Sequence, residues 1–228
     1  MKNSNVLLLT VCSFVACALH AAMLRSPFND YAYTSAFKVV VFLLCPFVYF
    51  KLSKEGSYKE LFSLFLMKRN RKNILITVGL GILVFAFITI AFLITLPFID
   101  RAMVVNALTG NGITRGNTVF VFIYIIVINA ALEQLFFRGF VFMGLYRMGV
   151  KRYAFAYSAV LFSVYHIPIL FGAISFGFLI LCTVGLIAAG LIFNVLTVKF
   201  ESILGSLIVH ISANLALNLM VGLLFVFA

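Results

Sequence analysis

Residues 118–139 read TVFVFIYIIVINAALEQLFFRG, an apolar run that passes Asn129 and reaches Glu133, Gln134 and Arg138 near its end. Its length matches the roughly 20 apolar residues that cross a hydrocarbon core about 30 Å thick. An ionisable side chain at mid-bilayer costs about 2.5–3.5 kcal/mol on insertion scales, so Glu133 is a candidate functional residue. The stretch predicts a membrane helix that carries part of a polar site.

The composition of the whole chain extends this prediction. Of its 228 residues, 64% are hydrophobic and 10% are charged, whereas soluble domains are about 45–50% apolar and about 25% charged. The apolar runs are continuous, which favours helices over the short alternating strands of a membrane barrel. We therefore predict an all-α fold, a polytopic transmembrane helical bundle that forms a single integral membrane domain over residues 1–228.

Hydropathy and length predict seven spans, at about 6–24, 32–50, 74–97, 118–136, 154–174, 177–197 and 203–226. Residues 136–152 mix aromatic and basic side chains, so an interfacial amphipathic helix that continues the fourth span is a further expectation. The first span contains the small-x-small triplet Ala16-Cys17-Ala18, which leaves a cleaved signal peptide as an alternative. Its apolar run continues past the triplet, which favours a membrane helix.

Lysine and arginine are concentrated on one side of these spans. The loop 51–72 holds seven of the seventeen, and alternation of the spans places thirteen on that side and three on the other, with Lys38 inside a span. Because basic loops stay in the cytoplasm, we expect the N-terminus and loop 51–72 to be cytoplasmic in a multi-pass protein of the cell membrane. The net charge of +11 then indicates contact with anionic membrane lipids, and no nucleic-acid partner is expected.

Helical spacing places the polar residues of the fourth span in pairs. Asn129 and Glu133 are four residues apart and share a face, so the amide is expected to hydrogen-bond the carboxylate. Gln134 and Arg138 share the next face and are expected to hydrogen-bond each other. Taken alone, each pair is equally compatible with a polar contact between membrane helices.

Two later spans carry polar residues of the same kind. In the fifth span, Phe162 lies one turn before His166 and is expected to pack on the imidazole. In the seventh, Ser206, His210, Asn214 and Asn218 recur every four residues and form one polar stripe. A histidine suits proton transfer near neutral pH, and a histidine with an amide one turn away can donate to a developing oxyanion.

The remaining intramembrane polar residues are given no chemical role. His20 has no polar partner at helical spacing on its own span, so it is expected to be a packing residue. Lys38 is expected to face a cavity or to extend toward the interface.

Three motifs follow one another on separate helices: a glutamate with an arginine five residues later (133–138), FxxxH (162–166) and HxxxN (210–214). In this order they resemble the motifs of the CAAX protease and bacteriocin-processing membrane proteases, the CPBP or Abi family. The resemblance covers roughly residues 118–218. It implies an intramembrane peptidase in which Glu133 and His166 activate a water, while His210 and Asn214 stabilise the oxyanion. The candidate catalytic residues are thus Glu133, His166, His210 and Asn214, supported by Gln134, Arg138, Asn129 and Phe162.

The resemblance also bears on the substrate. Family relatives remove C-terminal tripeptides from prenylated proteins, process or resist bacteriocins, or mature signalling peptides. A chain this rich in Phe, Ile and Lys, with no eukaryotic feature, looks bacterial, so the expected substrate is a peptide or membrane protein rather than a prenylated protein.

One position departs from the family pattern, because its second glutamate is Gln134 here. This departure supports an alternative hypothesis, a catalytically weakened or inactive member that acts as a membrane scaffold, bacteriocin-immunity or regulatory protein. A third hypothesis, a transporter or channel with Glu133 as proton relay, favours an internal repeat, and the sequence shows none. No cofactor is expected. If a zinc ion were bound, its ligands would be Glu133, His166 and His210, a valid ligand set that lacks the local HExxH spacing.

Overall fold

The computed structural model describes residues 2–66 and 71–226. Seven of its helices are long and apolar enough to cross a membrane, and the described residues contain no β-strand. The predicted fold class, an all-α polytopic transmembrane bundle, is confirmed.

The long helices begin and end close to the predicted spans. They are α1 (Lys2–Met23), α2 (Tyr31–Ser53), α4 (Arg71–Thr95), α6 (Thr118–Arg147), α7 (Lys151–Leu170), α8 (Phe176–Phe200) and α9 (Leu204–Val226). Two short helices, α3 (Tyr58–Ser63) and α5 (Arg101–Gly110), lie in the connections. The fifth span lies earlier in the chain than predicted, since its helix runs from Lys151 to Leu170 rather than from about residue 154 to residue 174.

Polar caps begin three of the helices. The Asp30 carboxylate accepts the backbone N–H of Ala32 at 2.9 Å before α2. The Ser57 hydroxyl accepts from the N–H of Glu60 at 3.3 Å before α3, and Asp100 caps α5 in the same way. Because these side chains satisfy helix N–H groups that have no intrahelical partner, they fix where each helix begins.

Helix α6 differs most from the prediction. It continues without a break to Arg147, and residues 134–143 are all buried. The interfacial amphipathic helix expected at 136–152 is therefore wrong for this segment, because its phenylalanines pack into the protein core. Phe136, for example, stacks on Phe42 of α2 with ring centroids 4.0 Å apart. A turn at Gly149 separates α6 from α7.

Two parts of α6 have the wider π-helical turn, Tyr124–Asn129 and Gln134–Phe142. They lie on either side of the short α-helical segment Ala130–Glu133. Such turns change which side chains share a face, and they occur often at functional sites.

The other long helices pack against one another in pairs. Helix α1 packs on α2 and α7, α4 packs on α9, and α7 packs on α8. The hydroxyl of Tyr157 in α7 donates to the carbonyl of Thr10 in α1 at 2.8 Å. Helix α1 is thus part of the bundle, as its interpretation as a membrane helix predicts.

The basic loop lies at one end of the bundle. Its Lys68 and Arg69 are outside the described residues. The carbonyl of Leu64 accepts from the hydroxyl of Ser202 at 2.7 Å and from the N–H of Ile203 at 2.9 Å. This joins the loop to the turn between α8 and α9, which the predicted topology places on the same side of the membrane.

Two glycines of α8 provide a test of the packing of α8 against α7. A Cβ on Gly190 would lie 2.9 Å from the Cα of Ala159, whereas a Cβ on Gly185 would meet nothing within 4 Å. We expect Gly190→Ala to lower the free energy of unfolding by about 1–3 kcal/mol, because backbone must move. Gly185→Ala should be neutral or stabilising by up to about 1 kcal/mol. The measurement is the thermal unfolding midpoint in detergent, and equal shifts for both variants would contradict the packing described.

Candidate active site

Polar side chains from four helices meet at Glu133. The carboxylate projects from α6 and is 2% exposed. Lys38 reaches it from α2, Tyr165 and His166 from α7, and His210 from α9. The structure therefore brings three of the four candidate catalytic residues together, and it adds Lys38 and Tyr165 to them.

One oxygen of the carboxylate, Oε1, is fully engaged. It accepts from Asn129 Nδ2 at 2.9 Å and from the Tyr165 hydroxyl at 3.2 Å, and it lies 3.5 Å from Lys38 Nζ. Lys38 Nζ also donates to Asn129 Oδ1. A buried charge needs a counter-charge and hydrogen bonds, and Oε1 obtains both. The expected bond between Asn129 and Glu133 is present.

The other oxygen, Oε2, faces the two histidines. It lies 3.9 Å from His166 Nε2 and 3.8 Å from His210 Nε2. These separations are too long for direct hydrogen bonds, and they suit polar groups that are bridged by a water molecule. Oε1 therefore holds the carboxylate in place while Oε2 is directed at the histidines.

The tautomer of His166 follows from its backbone contact. Its Nδ1 lies 2.7 Å from the carbonyl oxygen of Phe162. A carbonyl only accepts, so Nδ1 carries the hydrogen and, in the neutral ring, Nε2 presents a lone pair. The Phe162 ring packs against the imidazole edge to face at a centroid distance of 4.6 Å, as its spacing predicts.

Gln134 contacts α9 rather than Arg138. Its Nε2 lies 3.0 Å from His210 Nδ1, and its Oε1 accepts from the Ser206 hydroxyl at 2.9 Å. The expected bond between Gln134 and Arg138 is therefore wrong. The Gln134 amide is instead occupied by His210 and Ser206 of α9, and the Arg138 guanidinium lies against aromatic rings.

The Arg138 guanidinium is fully buried. None of its three nitrogens has a hydrogen-bond partner among the described residues. Its Cζ lies 4.1 Å from the ring centre of Phe162 and 4.9 Å from that of Phe193. The cation is thus held between aromatic faces, which attract it through their quadrupoles.

Asn214, the fourth candidate, is bound to the backbone of α6. Its Nδ2 donates to the carbonyl of Ile125 at 3.1 Å, and the backbone carbonyl of Asn214 accepts from Asn218 Nδ2 at 2.7 Å. Within residues 2–66 and 71–226, the structure does not show it in hydrogen-bond contact with Glu133, His166 or His210. An amide nitrogen has two hydrogens, so one donor of Asn214 remains for a further acceptor.

Two residues of the site were missed or undervalued in the sequence. Lys38 was given no role, yet it is 6% exposed and is the nearest cation to Glu133; a lysine inside a span with no acid on its own helix signals a partner on another helix. Tyr165 had no signal beyond its place next to His166. His20 packs as expected, stacked on Tyr165 at a centroid distance of 5.3 Å.

The side chains that could ligate a metal are those that were named for zinc. Glu133 Oε2 and the Nε2 atoms of His166 and His210 face one another. Among the described residues, no three His, Cys, Asp or Glu side chains are arranged to hold a metal ion.

The comparison with known families identifies the same segment of the chain. Residues 115–216 match the family model described as type II CAAX prenyl endopeptidase Rce1-like, and no curated protein matches the chain. The matched segment contains all three motifs, from Glu133 to Asn214, and excludes Lys38. The resemblance to the CAAX protease family is thereby confirmed.

The ion pair between Lys38 and Glu133 predicts a specific stability pattern. Lys38→Met should lower the free energy of unfolding by about 3–5 kcal/mol, because it leaves a buried carboxylate without its cation. The double variant Lys38→Met/Glu133→Gln should recover much of that loss. Unfolding midpoints of the two single variants and the double variant give the coupling energy.

The matched control is Lys51→Met, since Lys51 lies on the same helix and is exposed. It should change the midpoint little. A coupling energy near zero between Lys38 and Glu133 would contradict the buried ion pair.

Proposed function

We propose that this chain, a member of the Rce1-like family over residues 115–216, is an intramembrane endopeptidase that hydrolyses a peptide bond with a water activated by Glu133 and His166. One observation supports this most directly. Glu133 Oε2 and the lone pair of His166 Nε2 face each other at 3.9 Å, with both groups fixed from behind. A water between them would have two acceptors for its two hydrogens.

In the first step, the water oxygen forms a bond to the substrate carbonyl carbon while one of its protons passes to Glu133 or His166. The carbonyl π electrons move to oxygen and give a tetrahedral oxyanion. The same proton then goes to the amide nitrogen, the C–N bond breaks, and an acid and an amine are released. Glu133 must be ionised at the start, and Lys38 at 3.5 Å supplies the counter-charge.

The oxyanion needs donors that are directed at it before the reaction begins. His210 Nε2 faces the same space as Glu133 Oε2 at 3.8 Å and carries a hydrogen when Nδ1 accepts from Gln134. The second amide hydrogen of Asn214 is the other proposed donor. Asn214 is anchored to Ile125 on the helix that carries Glu133, so both donors are fixed relative to the base.

The proposed substrate is a peptide segment or membrane protein that reaches the site from within the bilayer. The name of the matched family refers to prenylated proteins; for this chain we propose a peptide of bacterial origin. We also propose that the N-terminus and loop 51–72 face the cytoplasm and that the basic side chains there contact anionic lipids. The distribution of lysine and arginine supports this orientation.

Three substitutions test the mechanism. Glu133→Gln and His166→Ala should each reduce peptide cleavage by about 10²–10⁴-fold, because each removes a proton acceptor. His210→Ala should reduce it by about 10²–10³-fold, because it removes an oxyanion donor. The assay incubates the protein, reconstituted in lipid vesicles, with a library of apolar peptides and identifies products by mass spectrometry.

The control is Ser163→Ala on the same helix as His166. The Ser163 hydroxyl donates to the carbonyl of Thr183 at 2.7 Å and lies outside the site, so cleavage should stay close to the unsubstituted rate. If cleavage persists in the Glu133 and His166 variants, these two residues do not activate the water. If the unsubstituted protein cleaves no library peptide, the peptidase proposal is wrong and a scaffold function replaces it.

A metal-independent mechanism is also part of the proposal. When His210 Nδ1 accepts from Gln134, its Nε2 carries a hydrogen and has no lone pair for a metal, so the three residues do not fit a zinc site. We expect protein purified without chelator to contain well under one zinc per chain. Stoichiometric zinc that resists dialysis and is lost in His210→Ala would reverse this conclusion.

A further inference from the structure

The two histidines present the same ring nitrogen to one carboxylate oxygen but have different partners on the other side of the ring. Both direct Nε2 at Glu133 Oε2, at 3.9 and 3.8 Å. His166 is bound at Nδ1 by a carbonyl, an acceptor, whereas His210 is bound at Nδ1 by the amide of Gln134. The partner behind each ring decides which nitrogen carries its hydrogen.

We propose that Gln134 is a positioning residue that places the hydrogen of neutral His210 on Nε2 and so makes His210 a hydrogen-bond donor without a charge. This inference rests on the proposed function for its catalytic meaning. Gln134, which departs from the family motif, is then compatible with catalysis, because an amide can donate a hydrogen bond to His210 Nδ1 and a carboxylate cannot.

The orientation of the Gln134 amide follows from the groups at both of its ends. The Ser206 hydroxyl lies 2.9 Å from Gln134 Oε1 and 2.9 Å from the carbonyl oxygen of Ile203. When its hydrogen goes to Gln134 Oε1, the amide Nε2 is directed at His210 Nδ1. The reversed amide would accept from Nδ1–H. It would then turn the lone pair of His210 Nε2 toward Glu133 Oε2, and a water between that oxygen and the two histidines would face three acceptors with only two hydrogens.

A glutamate at position 134 would act differently. Its carboxylate would accept from His210 Nδ1–H, so Nε2 would bear a hydrogen only in the imidazolium form. The charged and titratable groups whose fields act on His210 are Glu133, Arg138, His166 and Lys38. Two of these are cations, so with Gln134→Glu the donor form of His210 would put a third positive charge and a second carboxylate into the buried site. The amide of Gln134 avoids that charge.

The catalytic consequence is a difference in pH dependence. With Gln134, the Nε2 hydrogen is present in neutral His210 and persists as the pH rises. With Gln134→Glu, the donor exists only while His210 is protonated, so the cleavage rate should fall as the pH rises through the titration of His210. A residue at position 134 that only filled space would not change the pH dependence of cleavage in this way.

The first experiment determines the tautomers directly. The chain has three histidines, so ¹⁵N-histidine labelling gives three imidazoles that solid-state NMR in lipid bilayers can resolve, with assignments from His20→Phe and His166→Ala. We expect His166 to be protonated at Nδ1 and His210 at Nε2, and His210 to become protonated at Nδ1 in Gln134→Glu. A neutral His210 protonated at Nδ1 in the unsubstituted protein would overturn the proposal.

The second experiment measures cleavage as a function of pH with the peptide library. Gln134→Leu should lower kcat about 10²-fold with little change in KM, as expected for loss of an oriented oxyanion donor. Gln134→Glu should gain an alkaline decline that the unsubstituted protein lacks, and Ser163→Ala should show neither change. Ser206→Ala, which removes the anchor of the amide, serves as a second variant if Gln134→Leu does not fold.

The outcomes separate the two proposals. Cleavage by the unsubstituted protein with a pH profile unchanged in Gln134→Glu would refute the role of Gln134 and leave the peptidase proposal intact. The expected tautomers without cleavage of any peptide would refute the peptidase proposal, and the catalytic role of Gln134 with it.

Discussion

The ion pair between Lys38 and Glu133 is the constraint on which the site depends. Glu133 is 2% exposed and Lys38 is 6% exposed, and each charge in a medium of low polarity is tolerable only because the other lies 3.5 Å away. The pair also joins α2 to α6. Since α2 lies outside the segment that matches the protease family, the candidate active site needs a residue from the N-terminal part of the bundle.

This pairing divides the carboxylate into an anchored oxygen and a directed one. Oε1 receives Lys38, Asn129 and Tyr165, which leaves Oε2 for the histidines. A carboxylate that was free to rotate would exchange these roles and lose the orientation that a general base needs. The polar contacts of Oε1 therefore support the role proposed for Oε2.

Features that depend on one helix could be predicted from the sequence, whereas contacts between two helices could not. Seven spans follow from hydropathy, and the contacts of Asn129 with Glu133 and of Phe162 with His166 follow from a spacing of four residues on an α-helix. The contact predicted between Gln134 and Arg138 used the same rule and is wrong, because Gln134 instead bonds His210 and Ser206 on α9. Lys38 could not be placed, because its partner lies 95 positions along the chain and only the packing of α2 on α6 brings them together.

Arg138 is a buried cation with no hydrogen-bond partner among the described residues. Its guanidinium lies between Phe162 and Phe193. The Phe162 ring also contacts His166, and the Phe193 ring lies 5.2 Å from the ring centre of His210. One aromatic ring thus lies between the Arg138 guanidinium and each of the two histidines. In that field a donor that needs no charge is favoured over an imidazolium, and an amide at position 134 is the side chain that supplies such a donor. The aromatic cage around Arg138 and the amide of Gln134 are therefore two parts of one arrangement.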